Sequence, residues 1–525
     1  MAMLTDGDPT TATKPCPFRE VPMEVLLRIA FWLPTTDLCN MRRTCHSIER
    51  MLYRSFAHEY FRCKQFMLTP FSLQALIDIS GSRLGRHLTR LQLGTDHFED
   101  PLSVATIDGA DLTYAYDCYA TQCEMLLSGS HIDMLAEALQ NLGHLEDVVI
   151  RCFNSDRRSR DGPGADWVSY GARQARREAR NFFMAEPWHA RPKPAFTMTS
   201  IIFNAVLTAL SRTGTRPRGI EVLARQPSPM SAYLYDVAFA VSPAMRPSVS
   251  SVLEGLKKLH LYVGNAVDPF NRQGDTGKLP WFLHRTVNLE DLRINGGREK
   301  IQGLDRLLRW LATPASSSPS PSPPSSSTSQ PRPGPWGPLP LSWPPAPALS
   351  QLTDLSLGYM AVESEVVIGM VQKLSPTIRR LDFVFLCVIE VADDAADEVP
   401  TGTVWKNILS VICDAPAPHL SHVGLKFLRE FHGEPPKDPP DGVYRQGEDV
   451  VFKDGKTEMS YTGLDCRQVL LQTIGQVGGA AGDDDGGSDS FDSLDDDSGD
   501  SHEEDGSDGE EDEESGGQDD DASDA

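Results

Sequence analysis

The chain has no run of apolar residues long enough to cross a membrane, and its polar first ten residues, MAMLTDGDPT, lack the apolar core of a signal peptide. No Asn-x-Ser/Thr sequon occurs, and the 10 cysteines are scattered along the chain. These absences favour a cytoplasmic or nuclear protein with free thiols and predict no membrane partner.

Sequence signatures of common catalytic sites are missing as well. The nearest approach to a phosphate-binding loop is Gly274–Leu279, where only two residues separate the glycines and Leu279 replaces the metal-binding hydroxyl. His58-Glu59 lacks a second zinc-ligating His, because residue 62 is Arg, and there is no Gly-x-Ser-x-Gly motif. The sequence therefore predicts no enzymatic activity, no catalytic residue, no cofactor and no metal site.

Negative charge is concentrated at one end of the chain. There are 49 Lys+Arg and 74 Asp+Glu residues, and 22 of the acidic residues lie between residues 483 and 524, which contain no Lys or Arg. The rest of the chain carries 49 − 52, or −3, so it offers no basis for broad electrostatic binding of nucleic acid. We expect no nucleic-acid partner.

The acidic tail, residues 478–525, is predicted to be disordered, because like charges repel and almost nothing can be buried. Its role is either to keep the protein soluble or to attract a basic partner. Ser493, Ser501 and Ser507 each have Asp or Glu three positions later, which makes them possible phosphorylation sites for an acidophilic kinase.

Residues 18–57 carry the most specific pattern in the chain. Pro22 suits the first turn of a helix, because its missing N–H would be unpaired there in any case. Apolar residues recur at helical spacing up to Pro34, and again from Leu38 to Leu52. The pattern predicts two short amphipathic helices joined by a tight turn.

Thr35 or Thr36 is expected to cap the second of these helices. Neither helix is long enough to be stable alone, so both must pack on another surface. That surface belongs either to a partner protein or, if the pair is only the first hairpin of a larger globular domain, to the rest of this chain.

The same stretch resembles an F-box. From Val21 to Cys45 its residue order is similar to the F-box pattern Leu-Pro-x-Glu-hydrophobic, Ile, Leu, Asp-Leu and Cys, with Val21 replacing the usual Leu and Ser47 standing where Trp is common. The resemblance implies that this module docks on the Skp-family adaptor of a Skp–cullin–F-box ubiquitin ligase. The adaptor-contact or support positions that it implies, some of them expected to lie in the internal core, are Val21, Pro22, Val25, Leu26, Ile29, Leu33 and Leu38.

Downstream, helix candidates are each followed by a short apolar strand. Ser72–Ser80 precedes a strand ending at Leu93, and Glu363–Leu374 precedes Ile378–Phe385. Strands joined through helices favour a parallel sheet. The repeated units, several of which fit Leu-x-x-Leu-x-Leu, resemble the leucine-rich repeats that many F-box proteins carry. Their lengths are irregular, and none has Asn or Cys three positions after the last strand hydrophobe.

We therefore predict an α + α/β fold, a small helical F-box followed by an irregular leucine-rich-repeat-like α/β solenoid. The predicted segments are a disordered N-terminus (1–17), the F-box helical module (18–65), the first part of the repeat domain (66–311), a disordered Pro/Ser-rich insert (312–350), the second part of the repeat domain (351–477) and the disordered acidic tail (478–525). The alternative is a doubly wound α/β domain, but no glycine-rich strand-to-helix turn marks its nucleotide crevice.

Two further segments have a readable pattern. Asp441–Tyr461 is typical of a β-hairpin with Asp454-Gly455 as its turn, and Asp465 should cap a closing helix. Arg157–Arg180 is basic, but acidic residues are interspersed in it, so we interpret it as a solvated helix flank and loop.

Taken together, the sequence predicts a non-catalytic substrate-recognition subunit of a Skp–cullin–F-box ubiquitin ligase. Its partners would be the Skp-family adaptor with its cullin complex and an unknown protein substrate, bound on the long face of the repeat body. The alternative is an acidic-tailed scaffold or chaperone for basic proteins, in which the N-terminal helices serve only as a packing cap.

Overall fold

The computed structural model describes residues 21–100, 109–153, 159–161, 168–179, 183–184, 197–224, 232–265, 277–296, 304–314, 343–390, 401–433 and 447–479. All of the described residues belong to one compact unit, and none of them lies beyond Gly479. The predictions for residues 1–17 and for phosphorylation at Ser493, Ser501 and Ser507 also fall outside them.

Three helices begin the described chain: α1 (Met23–Trp32), α2 (Thr35–Arg42) and α3 (His46–Phe61). The prediction of two helices was wrong. The second apolar run breaks at Cys45, whose backbone is extended (φ −160°, ψ 158°), and Thr44 Oγ1 donates a hydrogen bond to Met41 O at 2.7 Å beside that break. The buried residues that hold the three helices together are Leu26, Ala30, Leu38, Ile48, Leu52 and Tyr60.

Helices and strands alternate after α3. The helices are α4 (Pro70–Ser80), α5 (Gly109–Ser128), α6 (Ser130–Asn141), α7 (Ala172–Ala179), α8 (Met198–Thr213), α9 (Arg246–Gly255), α10 (Lys278–Arg285), α11 (Leu304–Ala312), α12 (Ser364–Leu374), α13 (Thr403–Asp414) and α14 (Cys466–Ile474). The strands are β1 (Cys63–Met67), β2 (Arg90–Gly94), β3 (His97–Phe98), β4 (Asp147–Arg151), β5 (Phe183–Met184), β6 (Gly219–Leu223), β7 (Leu234–Tyr235), β8 (Lys258–Asn265), β9 (Asp291–Gly296), β10 (Asp354–Glu363), β11 (Arg380–Glu390), β12 (His422–Lys426), β13 (Arg429–His432), β14 (Glu448–Val451), β15 (Glu458–Thr462) and β16 (Gly478–Gly479).

The main sheet is mostly parallel. Strands β1, β2, β4, β6, β8, β9, β10 and β11 pair side by side in that order, and β12 and β13 both pair in parallel with β11. The predicted mixed α/β fold with a mostly parallel sheet is therefore confirmed. A doubly wound sheet reverses its strand order at a switch point, whereas this row follows the order of the chain.

Alternate strand residues form a continuous buried row on the helix side of the sheet. Each residue of the row is the register partner of the next one on the neighbouring strand, and the row consists of Leu91, Val148, Ile220, Leu259, Leu292, Leu355, Leu381 and Val423. All eight belong to the main hydrophobic core, as do the residues two positions further along each strand. Because neighbouring strand residues point to opposite sides, the residues between them line the other side of the sheet, here called the polar face.

The predicted hairpin at Asp441–Tyr461 was wrong in its pairing. A turn does form, with Asp454 and Gly455 both in the left-handed region (φ 63° and 71°). The two strands then diverge, because β14 pairs with β13 and β16, and β15 pairs with β12. The closing helix α14 is present, but the Asp465 side chain makes no capping hydrogen bond.

Part of the predicted insert 312–350 is anchored to the body. The last eight residues, from Trp343, are described, and Trp310 Nε1 donates a hydrogen bond to Pro344 O at 2.8 Å. The Trp310 and Trp343 rings meet edge to face with centroids 5.9 Å apart, and His284 Nδ1 lies 2.9 Å from Pro345 O. The centre of the insert, 315–342, lies outside the described residues, as does all of the tail beyond Gly479.

Candidate functional site

The seven positions implied by the F-box resemblance divide between the inside and the outside of the three-helix module. Leu26 (0% exposed) and Leu38 (3%) are core residues, and Val21 and Leu33 are partly buried against that core. The other three, Pro22, Val25 and Ile29, are exposed. The structure therefore separates support residues from residues that a partner could touch.

Six exposed apolar residues at and beside α1, here called the α1 face, are Pro22, Met23, Val25, Ile29, Phe31 and Trp32, and the charged Glu24 and Arg28 are exposed on the same helix. Val25 is 48% exposed, Ile29 39% and Trp32 78%. Spacings of three, four and three from Pro22 through Val25 and Ile29 to Trp32 place these four on one stripe of the helix. Phe31 and Trp32, which the sequence interpretation missed, meet edge to face with ring centroids 5.3 Å apart.

A short segment from beyond β4 completes the module. Arg160 forms a two-point ion pair with Glu59 on α3, with Nε to Oε1 at 2.6 Å and Nη2 to Oε2 at 2.8 Å. Its Nη1 donates to Leu33 O at 2.7 Å and also to the carbonyl oxygens of Ala30 and Phe31. The last carbonyl groups of a helix have no partner within the helix, so Arg160 satisfies the end of α1.

The neighbouring Asp161 caps the start of α2. Its Oδ1 accepts the Thr35 backbone N–H at 2.7 Å, and its Oδ2 accepts the Thr35 hydroxyl at 2.5 Å. Neither Thr35 nor Thr36 provides the predicted cap, since Pro34 occupies the N-cap position. We call this pair the Arg160–Asp161 clasp. At Arg160 the interpretation of Arg157–Arg180 as a solvated flank was wrong.

The polar face of the sheet carries a buried charge network centred on Glu221, which is 3% exposed. Its carboxylate lies 3.1 Å from Arg90 Nη2, 3.2 Å from Lys258 Nζ and 3.5 Å from His260 Nδ1. Lys258 also reaches Asp147 at 3.1 Å, and His260 Nε2 lies 2.9 Å from Asp291. These partners are on four different strands, so the network exists only because the strands are in this register.

Burial alone would raise the pKa of Glu221, but His260, Arg90 and Lys258 outweigh it and hold the pKa well below its usual range. Burial likewise opposes a charged His260, yet hydrogen bonds to Asp291 and Glu221 raise its pKa above the ordinary 6.5. Both groups are therefore stabilised in their charged forms by the fold.

These shifts predict a pH dependence of stability. The His260 contribution is fully present below pH 6.5 and is lost as the pH rises through the raised folded-state pKa, whereas the Glu221 contribution is present above pH 4.5 and is lost as the pH falls. The difference in unfolding free energy between the wild type and His260→Gln, measured by urea titration, should shrink as the pH rises above 6.5. A constant difference would show that His260 is not charged in the folded protein.

Metal-ligand clusters and membrane-spanning helices were not found among the described residues. No three His, Cys, Asp or Glu side chains in the described ranges are grouped as a metal ion would require. None of the helices in this part of the chain is long and apolar enough to span a bilayer. Compared with models of known protein families and with curated proteins, the chain gives no match. Function must therefore be argued from the α1 face and the polar face.

Proposed function

We propose that this protein is a non-catalytic substrate-recognition subunit of a Skp–cullin–F-box ubiquitin ligase, and that the α1 face docks on the Skp-family adaptor. The observation that carries the proposal is that the α1 face stays exposed although the module already has a complete core of its own. A stripe of exposed apolar side chains such as Pro22, Val25, Ile29 and Trp32 supports a site for a partner.

The chemistry of the α1 face suits a helix-in-groove contact. Such contacts draw their affinity from a few apolar and aromatic anchors that become fully desolvated, and Trp is the residue type most enriched among them. Trp32 and Phe31 lie at one end of the face, and Val25 and Ile29 lie along its centre. Each apolar side chain that is fully buried on docking contributes roughly 1.5–3 kcal/mol before the costs of association.

For the body we propose the finer interpretation of an irregular leucine-rich-repeat-like solenoid. It is supported by the parallel strand order that follows the chain and by the buried row of aliphatic residues that runs from Leu91 to Val423. In such a fold the side of the sheet away from the helices binds the partner. The polar face is accordingly where we propose that the protein substrate is held.

Substitution of Val25 by Asp tests the proposal. Val25 is the third residue of α1, where a negative charge favours the helix, so the variant should remain folded. Docking would bury the new carboxylate without a partner, and we expect capture of a purified Skp-family adaptor by the full chain to weaken at least about a hundredfold.

The matched control is Val287→Asp. Val287 is 47% exposed, against 48% for Val25, but it lies between α10 and β9 and far along the chain from α1. This variant should capture the adaptor as well as the wild type does. Equal capture by both variants, or no capture by the wild type, would contradict the assignment and leave the acidic-tailed scaffold as the better explanation.

A further inference from the structure

One cation on the polar face differs from its neighbours. Arg90, Lys258 and His260 lie within ion-pair distance of carboxylates, and so does Arg380, whose Nε is 2.9 Å from Asp382 Oδ2. Arg293, in the middle of β9, makes no hydrogen bond and no ion pair with any described residue. Its Nε is fully buried and has no hydrogen-bond partner there. A buried arginine Nε without a hydrogen-bond partner lowers the stability of the folded protein, so the presence of Arg293 at this position requires an explanation.

The side chains around Arg293 add further donors. Its neighbours in register are His260 on β8 and Ser356 on β10, and Asn295 lies two positions further along β9 on the same side of the sheet. Ser356 and Asn295 are 8% and 7% exposed, and neither side chain makes a hydrogen bond within the described ranges. The Cα atoms of Ser356 and Asn295 thus lie about 5 Å and about 7 Å from the Cα atom of Arg293.

Gly358 allows the Asn295 side chain to lie against β10. It pairs with Asn295 across β9 and β10, and a Cβ atom there would lie 2.7 Å from Asn295 Oδ1 and 2.9 Å from Val384 O. Any side chain at this position would push the Asn295 amide away from β10. Arg293, Ser356 and Asn295 thus place a guanidinium, a hydroxyl and an amide on the same part of the polar face, and such groups can donate hydrogen bonds to an oxyanion.

The surrounding charges favour a singly charged oxyanion over a phosphate. Asp291 and Asp354 lie side by side in the next row of the sheet. Burial raises the pKa of Asp354, and the nearby Asp291 and Asp382 raise it further, which shows that negative charge is already disfavoured here. A phosphate group, with a charge of about −1.5 to −2, would meet more repulsion than a carboxylate.

We infer that Arg293, Ser356 and Asn295 form a subsite for the carboxylate of an Asp or Glu side chain in an extended partner polypeptide lying on the polar face. The inference rests on the proposed function only in identifying that polypeptide as a ligase substrate. Charge complementarity selects this partner: within the described ranges Arg293 has no ion-pair partner, Asp291 and Asp354 lie one row away, and the carboxylate of the ligand would supply the missing partner.

The experiment uses the full chain and a fluorescent pool of peptides, each with one central Glu among Ala, Ser and Thr. Two matched pools carry Gln or phosphoserine at the central position. Fluorescence anisotropy should show the Glu pool binding most tightly. Arg293→Gln should weaken binding of the Glu pool by about ten- to hundredfold, to the level of the Gln pool, because a charge-assisted two-point hydrogen bond is lost. The control variant Arg380→Gln, whose arginine is already paired with Asp382, should change binding little.

Thermal unfolding gives an independent measurement. Arg293→Met should leave the midpoint unchanged or raise it, because it removes an unpaired charge, whereas Arg90→Met should lower it by removing a cation from Glu221. If Arg293→Met destabilises the protein as Arg90→Met does, Arg293 has a structural partner and the subsite is refuted.

Three other outcomes would also overturn the inference. Tighter binding of the phosphoserine pool would refute the choice of a carboxylate, and equal binding of the Glu and Gln pools would refute the subsite. Binding that appears only in a chain ending at Gly479 would show that the acidic tail, and not a partner, occupies it. Adaptor capture by Arg293→Gln should be unchanged, so failure of the subsite and failure of the proposed ligase function can be told apart.

Discussion

Replacement of Glu221 by Leu is expected to destabilise the protein by about 3–5 kcal/mol, because it leaves buried positive charge without its main compensation. Arg90, Lys258 and His260 all lie within 3.5 Å of the Glu221 carboxylate. Lys258 keeps Asp147 as a second ion-pair partner, and His260 keeps Asp291. Arg90 should therefore be the cation that the substitution destabilises most. The measurement is the unfolding free energy from urea titration near pH 6.5, where the Glu221 and His260 contributions are both present.

The matched control is Glu458→Leu. Glu458 is 45% exposed and lies 3.9 Å from Lys426 on the neighbouring strand, so removal of this solvated pair should cost no more than about 1 kcal/mol. A similar loss for the two variants would mean that the network on the polar face contributes no more than an ordinary surface ion pair. The paired cations around Glu221 would then not differ in stability from the unpaired Arg293, and the proposed carboxylate subsite depends on that difference.

The helices and strands could be predicted because their signals are local. The run from Ser72 to Ser80 has helical spacing and lies within α4, and the leucines of the next strand alternate as a half-buried strand requires. The break in the F-box-like module was missed, because the apolar spacing continues through Cys45 although the backbone there is extended. The hairpin prediction was wrong because a turn signal at Asp454-Gly455 does not determine which strands the two flanking segments pair with.

The polar face could not be predicted, since its chemistry depends on register between strands far apart in the sequence. Glu221 lies in a strand with apolar neighbours, and nothing local shows that Arg90 and Lys258 will flank it on β2 and β8. The same holds for Arg293, which stands out only after Arg90, Lys258, His260 and Arg380 have been assigned their partners. On the α1 face only Pro22, Val25 and Ile29 had a sequence signal, which was the F-box resemblance.

Substitution of Arg160 by Met is expected to loosen the three-helix module without changing any side chain of the α1 face. The variant leaves Glu59 without its ion pair and the carbonyl oxygens at the end of α1 without a donor. Because Arg160 is largely buried and Glu59 is about a third exposed, we expect a loss of about 2–3 kcal/mol in local stability. Hydrogen exchange should become faster in α1 and α2 while the strands of the main sheet stay protected.

The control for Arg160→Met is Arg212→Met, which removes a pair of similar length, 2.6 Å to Asp133, between side chains that are 50% and 75% exposed. That variant should lower the unfolding free energy by at most about 0.5–1 kcal/mol.

If the α1 face docks on the adaptor as proposed, Arg160→Met should also weaken capture, because Phe31 and Trp32 lie at the helix end that Arg160 holds. A fragment ending before β2 would lack the clasp and should bind less tightly than the full chain. Unchanged exchange in α1, together with full binding by such a fragment, would show that the three helices fold and dock without the segment that follows β4.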